Sequence, residues 1–374
     1  MTNTRLIIAD SEKNADLYYA TRFLAPDPFI FAQFDGWRVM VMSDLEVDRA
    51  RAQAKVDEVL SYSALSRQSK RADGTEPTMM DVVGELLRSH GAKDIDVPST
   101  FSLSYADALR ARGLTLTPKP DPFFPERMIK SEEEIGFLTE SLRITEDALE
   151  RAIELIRNSE VKADNTLWIG GKPLTVELLR KAMHLTMMEQ ECVAQHTIIA
   201  PGVQAVDPHN EGSGPLRANE PIVIDVFPQH AKSRYFADIT RTVVKGKASD
   251  KVQKMFNAVK EGQEIAYRMI KDGVDGMVVH NAILELFNSL GFKTGEQDGR
   301  MQGFFHGTGH GVGLEIHEPP RVSGKSDVLR AGMVVTVEPG LYYLDAGGIR
   351  IEDMVVVTPT GCRVLTEAPK VLEV

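Results

Sequence analysis

The sequence predicts two domains, a smaller α/β domain over residues 1–125 and a larger α+β domain over residues 126–374. Three observations predict this. At 374 residues the chain exceeds the length that one hydrophobic core usually supports. Its first third alternates short β-like runs with helical patterns, whereas the remainder groups helices, then strands, then helices, then strands. Between the two lies LTPKPDPFFPERMIKSEEE, where Pro118, Pro120, Pro122 and Pro125 favour extended or turning backbone over helix.

In the first domain, Arg5 to Ala9, Phe29 to Ala32 and Arg38 to Met42 read as strands, and helical patterns run at 46–60 and 78–90. Beyond the prolines, Ser131 and Glu134 form a capping-box signature. Ile135, Leu138, Leu142, Leu149, Ile153 and Ile156 then recur at helical spacing, which predicts an amphipathic helix lying on a sheet. Further helices are expected at about 175–190, at 250–272 behind an Asp250 N-cap, and at 277–290 before Gly291. The β-rich runs are IVIDV at 222–226, ITRTVV at 239–244, MVVTVE at 333–338 and MVVVT at 354–358. Two α+β halves around a common sheet would give this order. No internal repeat or low-complexity segment is visible.

Composition narrows the function. Hydrophobic residues make up 43% and charged residues 26%, and no apolar run approaches the roughly 18–20 residues of a membrane span. The opening MTNTRLIIAD lacks a basic stretch followed by a long apolar one, so no secretory signal is expected. Cys192 and Cys362 are far apart and outside any metal-binding spacing, which predicts small buried hydrophobes in a reducing, cytoplasmic setting. The net charge of −11, without a basic stripe, argues against nucleic acid and anionic membrane as partners.

The chemistry is announced by carboxylates in unsuitable places. Asp225 sits inside IVIDV, Asp238 opens ITRTVV, Glu338 ends MVVTVE and Glu352 precedes MVVVT. A bare carboxylate in an apolar strand costs several kcal/mol, so each is expected to pair, protonate or bind a cation. Any one of them could cap a turn or pair with Arg241 or Arg350. Four of them around the segment FFHGTGHGVGLEIHEPP, with His306, His310 and His317, favour metal binding or catalysis. Carboxylates with one imidazole suit Mn²⁺, Co²⁺, Fe²⁺ or Zn²⁺ better than Ca²⁺. The glycines of the segment allow close backbone approach, but their spacing is not that of a dinucleotide loop, and the prolines after His317-Glu318 exclude a zinc-protease helix.

The motifs DITRT at 238–242, HGTGHGVGLEIHE at 306–318, TVEPG at 336–340 and GIRIED at 348–353 resemble the M24 peptidase family, which has the pita-bread fold and includes methionine aminopeptidase, Xaa-Pro aminopeptidase and prolidase. The resemblance covers residues 126–374 as the catalytic domain and, more weakly, residues 1–125 as the creatinase-type N-terminal domain of the Xaa-Pro members. It implies two divalent ions, with Mn²⁺ first among the candidates. Asp225 would hold one, His310 and Glu338 the other, and Asp238 with Glu352 would bridge them at a separation of roughly 3–4 Å. It further implies that His317 donates to the carbonyl oxygen and that His209 and His306 flank the leaving proline. Arg350, two residues before Glu352 and so on the same strand face, would orient a bridging carboxylate, and Glu338 would relay a proton. The implied substrates are small peptides with proline in second position, and the implied assembly is a homodimer.

The chain departs from the family pattern between Asp225 and Asp238, which lie two residues further apart than usual, with Phe227 where a glycine is customary. A hairpin longer by two, turning within Gln229 to Arg234, would leave Asp238 facing inward, because an even insertion preserves strand faces. Tyr235 would either shape the pocket or pack. Methionine aminopeptidase is the nearest rival reading, but that branch usually lacks the N-terminal domain and His306. A metal-free creatinase-like enzyme and a non-catalytic binding protein on the same fold are both expected to have lost ligands that this chain retains.

Overall fold

The computed structural model describes residues 4–69 and 75–374, and the chain divides into two compact units, Met1–Arg127 and Met128–Val374. The first is a six-stranded sheet in the order Glu58–Ser61, Trp37–Met42, Phe29–Phe34, Thr4–Ala9, Asp94–Pro98, Thr115–Lys119. Alternate residues of each strand serve different cores: Leu6, Ile30, Ala32, Val39 and Val41 face the helix Met79–Ser89, while Ile7, Phe29, Phe31, Met40 and Met42 face Leu17, Val47 and Ala50. Burial on both faces explains why these strands read as nearly continuous apolar runs. The helix expected at 46–60 covers only Val47–Gln53, since Glu58–Ser61 pairs in parallel with Val39–Met42 as an edge strand. Tertiary pairing overrides local helix propensity there. The proline-rich segment is tied down rather than free: the backbone N–H groups of Phe123 and Phe124 both donate to Asp16.

In the second unit each expected helix forms behind a cap. Glu132–Arg157 carries the full Ser131/Glu134 box and packs on Val176–Met188, which Thr175 caps. Asp250–Met269 packs on Gly276–Ser289, and its N-cap is Ser249 rather than Asp250, because the serine hydroxyl is the group that accepts from Val252 N. Cys192 is buried and Cys362 half-buried, and both are free thiols.

The strands do not make the single common sheet expected. Ile198–Pro201, Pro221–Val226 and Ile239–Val244 form one sheet; Glu318–Val322, Gly309–Gly311, Val334–Val337, Asp353–Val357 and Cys362–Val364 form another, and Gly340–Tyr343 pairs with Gly347–Arg350 separately. The first two sheets meet through one bridge, Thr240 to Glu352. Each half supplies two helices followed by an antiparallel hairpin, and the hairpins face each other across that bridge.

The long hairpin after Asp225 keeps one register from Pro221↔Val244 through Val226↔Ile239 to Gln229↔Phe236, so the additional residues lie at its tip. Tyr235 is fully buried beside Phe137, and its hydroxyl donates to Glu134, which settles its role as packing against the first helix. Substituting Ser131 by Ala removes the N-cap acceptor and is expected to cost about 1 kcal/mol of stability. Denaturant unfolding would show this as a lower midpoint with an unchanged slope.

Candidate metal centre and active site

All five expected metal-binding residues line one cavity of about 720 Å³ in the second unit. Strand register explains how. Asp225 pairs with Thr240, and Asp238 lies two residues before Thr240, so both carboxylates share a strand face. In the opposing hairpin, Val337↔Asp353 and Gly340↔Arg350 belong to one register, which sets Glu338 opposite Glu352 where the ladder is interrupted. The freed backbone groups pair outward instead, Glu338 N with Thr308 O at 2.7 Å and Glu352 N with Thr240 O at 3.0 Å. His310 comes from the short strand Gly309–Gly311. Here glycine is needed for chain packing rather than for ligand approach, because a Cβ on Gly309 would stand 1.9 Å from Thr336 O.

Donor atoms of Asp238, His310 and Glu352 lie within 4.8 Å of one another. Glu338 Oε1 adjoins them, 3.3 Å from His310 Nε2, and Asp238 Oδ2 stands 3.6 Å from the same nitrogen. Asp225 completes the group: its Oδ2 accepts from Arg350 Nη2 at 2.6 Å, while Oδ1 is buried without a partner among the described residues. Burial first, then the charges of Glu352, Asp225 and Glu338, push the Asp238 carboxyl well above the usual carboxylate range. Burial followed by Glu338 and Asp225 does the same to Glu352, and burial raises Glu338 to about 7 despite the opposing Arg350 charge.

His310 decides what this group can hold. Its Nδ1 lies 3.1 Å from Gly311 O, a contact that requires the proton on Nδ1 and leaves Nε2 as a lone pair facing two carboxylates. Burial, reinforced by His317, lowers its pKa to about 3, so a proton on Nε2 does not relieve the repulsion. Lone pair, orphaned Asp225 oxygen and clustered carboxylates together fit divalent cations. Threonines hold the glutamates in place, Thr240 Oγ1 donating to Glu352 at 2.7 Å and Thr336 Oγ1 to Glu338 at 3.2 Å.

Residues 137–359 match the model of metallopeptidase family M24. The chain belongs to this family. The Xaa-Pro dipeptidase of Pyrococcus furiosus is 35% identical over 296 residues, 78% of each chain. Among solved structures, an Xaa-Pro dipeptidase from Bacillus anthracis superposes with a TM-score of 0.82 at 25% identity, covering 100% of this chain and 95% of that one. An X-Pro aminopeptidase from Thermotoga maritima gives 0.82 at 26%, covering 100% and 98%. The pita-bread fold and a metallo-exopeptidase of the hydrolase class follow.

Around the acidic cluster of this M24 peptidase, His209, His306 and His317 all line the cavity. His209 and His317 are exposed, and the His317 ring stands perpendicular to that of His310, 4.4 Å between centroids. Its loop is anchored by Glu318, which accepts from Glu315 N and pairs with the buried Lys130 at 2.9 Å. His306 has both ring nitrogens engaged, Nδ1 by Gly307 O at 2.7 Å and Nε2 by the Tyr342 hydroxyl at 2.8 Å, so it faces the cavity with its ring. Arg350 differs from expectation. It serves Asp225, outside the expected bridging pair, and donates through Nη1 to Tyr342, because the Asp225 strand lies beside its own.

Sequence reasoning missed Tyr342 and Arg321. Tyr342 follows TVEPG by two residues on a fully buried strand, a place where a hydroxyl needs a partner. Arg321 pairs with His310 across adjacent strands and therefore shares its face, four residues after His317.

The Glu338 carboxyl keeps its proton up to about pH 7 in the metal-free folded protein, against 4.5 for an ordinary glutamate. Its contribution to stability is thus present below pH 4.5 and lost as pH rises through 7. A bound cation replaces that proton, whereas His310 has none to release. The rise in melting temperature on adding Mn²⁺ to chelator-treated protein is therefore expected to grow as pH is raised from about 5 to about 7. Thermal shift measured across that range checks it.

Proposed function

We propose that this M24 peptidase hydrolyses the bond between an N-terminal residue and a following proline, using two divalent ions, Mn²⁺ foremost. The observation that carries the reading is the unprotonated His310 Nε2 facing carboxylates, beside the orphaned Asp225 oxygen, in a cavity lined by three further histidines. The relatives named Xaa-Pro dipeptidase and X-Pro aminopeptidase support it over a methionine aminopeptidase-like activity. Retention of the whole donor set speaks against a non-catalytic binding protein.

Asp225, Asp238, His310, Glu338 and Glu352 would hold the ions. Ions held there would acidify a water toward neutral pH and polarise the substrate carbonyl. Glu338 takes the proton of the attacking water and passes it to the proline nitrogen. His317 donates to the carbonyl oxygen as negative charge develops on it. His209 and the ring of His306 border the proline. Arg350 fixes Asp225, and Tyr342 couples Arg350 to His306.

Arg321 bears on substrate length. It lines the cavity, is exposed, and among the described residues its guanidinium makes no ion pair. A free cation there suits the C-terminal carboxylate of a dipeptide. We also propose a cytoplasmic homodimer. Both cysteines are free thiols, and no helix among the described residues is long and apolar enough to cross a membrane.

Proline release from Xaa-Pro dipeptides and first-residue release from Xaa-Pro tripeptides, each with and without Mn²⁺ or Co²⁺, test the reading. Activity that depends on metal is expected, and silence in both assays with metal bound contradicts it. Glu338→Gln is expected to lower kcat by roughly 10²–10⁴-fold. Arg321→Ala is expected to raise KM for the dipeptide while leaving KM for a tripeptide amide unchanged, as steady-state kinetics on the two substrates would show.

A further inference from the structure

The helix Asp250–Met269 carries a glutamine, Gln263, that is fully buried among apolar neighbours. Its Nε2 donates to two backbone carbonyls, Val337 O at 2.8 Å and Ile351 O at 3.1 Å. Each acceptor belongs to the residue immediately before one of the two cavity glutamates, Glu338 and Glu352. The carboxamide therefore reaches the hairpin at the place where its ladder is interrupted, between Val337↔Asp353 and Gly340↔Arg350. Both acceptors are carbonyls, so only the amide nitrogen fits, and Oε1 is left buried without a partner among the described residues. A buried acceptor without a partner is unfavourable, and a plain apolar side chain would avoid it. That arrangement is intelligible if the nitrogen does something an apolar residue would not.

We propose that Gln263 is a positioning residue for the metal centre: one carboxamide ties together the two strand segments that present Glu338 and Glu352 and fixes the separation of their carboxylates. In an uninterrupted hairpin the pair would stand directly opposite, where like charges repel. The interruption lets both side chains turn into the cavity, with Thr308 and Thr240 taking the backbone N–H groups of the two glutamates from either side. Without a further tie, the strands could spread under the mutual repulsion of the carboxylates. Gln263 supplies that tie from the helix layer behind the hairpin, without touching substrate or metal. Groups that orient metal-binding side chains in this way typically change affinity by roughly 10–100-fold when removed.

The inference rests on the metal-centre reading above, and the experiment separates the two. Mn²⁺ affinity is measured by chelator competition, and the visible spectrum is recorded with Co²⁺, for the wild type, Gln263→Met and Val259→Ala. Val259 lies on the same helix, is fully buried and makes no polar link to the hairpin, so its truncation reports general loss of packing. Wild-type protein that binds no metal overturns the metal-centre reading and the inference with it. With a metal-binding wild type, Gln263→Met is expected to weaken Mn²⁺ binding roughly 10-fold or more and to alter the Co²⁺ spectrum. Val259→Ala is expected to lower the melting temperature and leave both readouts unchanged. Wild-type affinity and spectrum in Gln263→Met, or equal losses in Val259→Ala, overturn the proposal for Gln263. Should Gln263→Met fail to fold, Gln263→Asn, which keeps the donor but withdraws it by one methylene, is read by the same criteria.

Discussion

Four carboxylates and an imidazole lone pair meet where little water is left to screen them, and the second unit is organised around that repulsion. Ionised together and without a cation, they would oppose the packing of the strands that carry them. Protonation is the response of the metal-free protein, visible in the raised carboxyl groups of Asp238, Glu338 and Glu352. His310 cannot respond in that way, because burial favours its neutral form and Gly311 O fixes its proton on Nδ1. Divalent cations relieve both conditions at once, neutralising the carboxylates and accepting the lone pair.

The scaffold bears this load through two hairpins. Each delivers a pair of acidic residues to the cavity, Asp225 with Asp238 and Glu338 with Glu352, and the Thr240–Glu352 bridge joins them. Threonine hydroxyls, the Arg350 guanidinium and the Gln263 carboxamide then hold individual groups in position. On the far side of the Glu352 segment, Arg241 donates to Glu352 O at 2.7 Å and pairs with Asp353, which Lys370 also neutralises. A charge in the cavity is therefore backed by a buried, fully paired network that faces away from it. The longer hairpin after Asp225 leaves this untouched, since its extra residues turn at the tip while the register at Asp225 is kept. Phe227, at the position where the family customarily has glycine, lines the cavity instead.

Much of this was legible in the sequence because it depends on local patterns. The Ser131 box, the 3.6-residue periodicity of the first long helix and the acidic residues misplaced in apolar strands all express short-range rules. What escaped was set by pairing between distant segments. Glu58–Ser61 became a strand only because Val39–Met42 offered it an edge. The separation of the strands into distinct sheets, two of them joined where Thr240 bridges Glu352, rests on long-range pairing that no local pattern encodes. Tyr342 and Gln263 are single polar residues in apolar elements, the same signal that exposed the carboxylates, but a hydroxyl or an amide is cheaper to bury and stands out less. The partner of Arg350 was misjudged for a related reason: sequence proximity pointed to Glu352, whereas the adjoining strand brought Asp225 within reach.

The central claim is that five residues form one two-ion centre. Anomalous diffraction from a crystal equilibrated with Mn²⁺ tests it most directly. The account predicts two peaks in the cavity roughly 3–4 Å apart, with carboxylates of Asp238 and Glu352 between them, Asp225 on one and His310 with Glu338 on the other. A single peak, or density away from His310 Nε2, would contradict it.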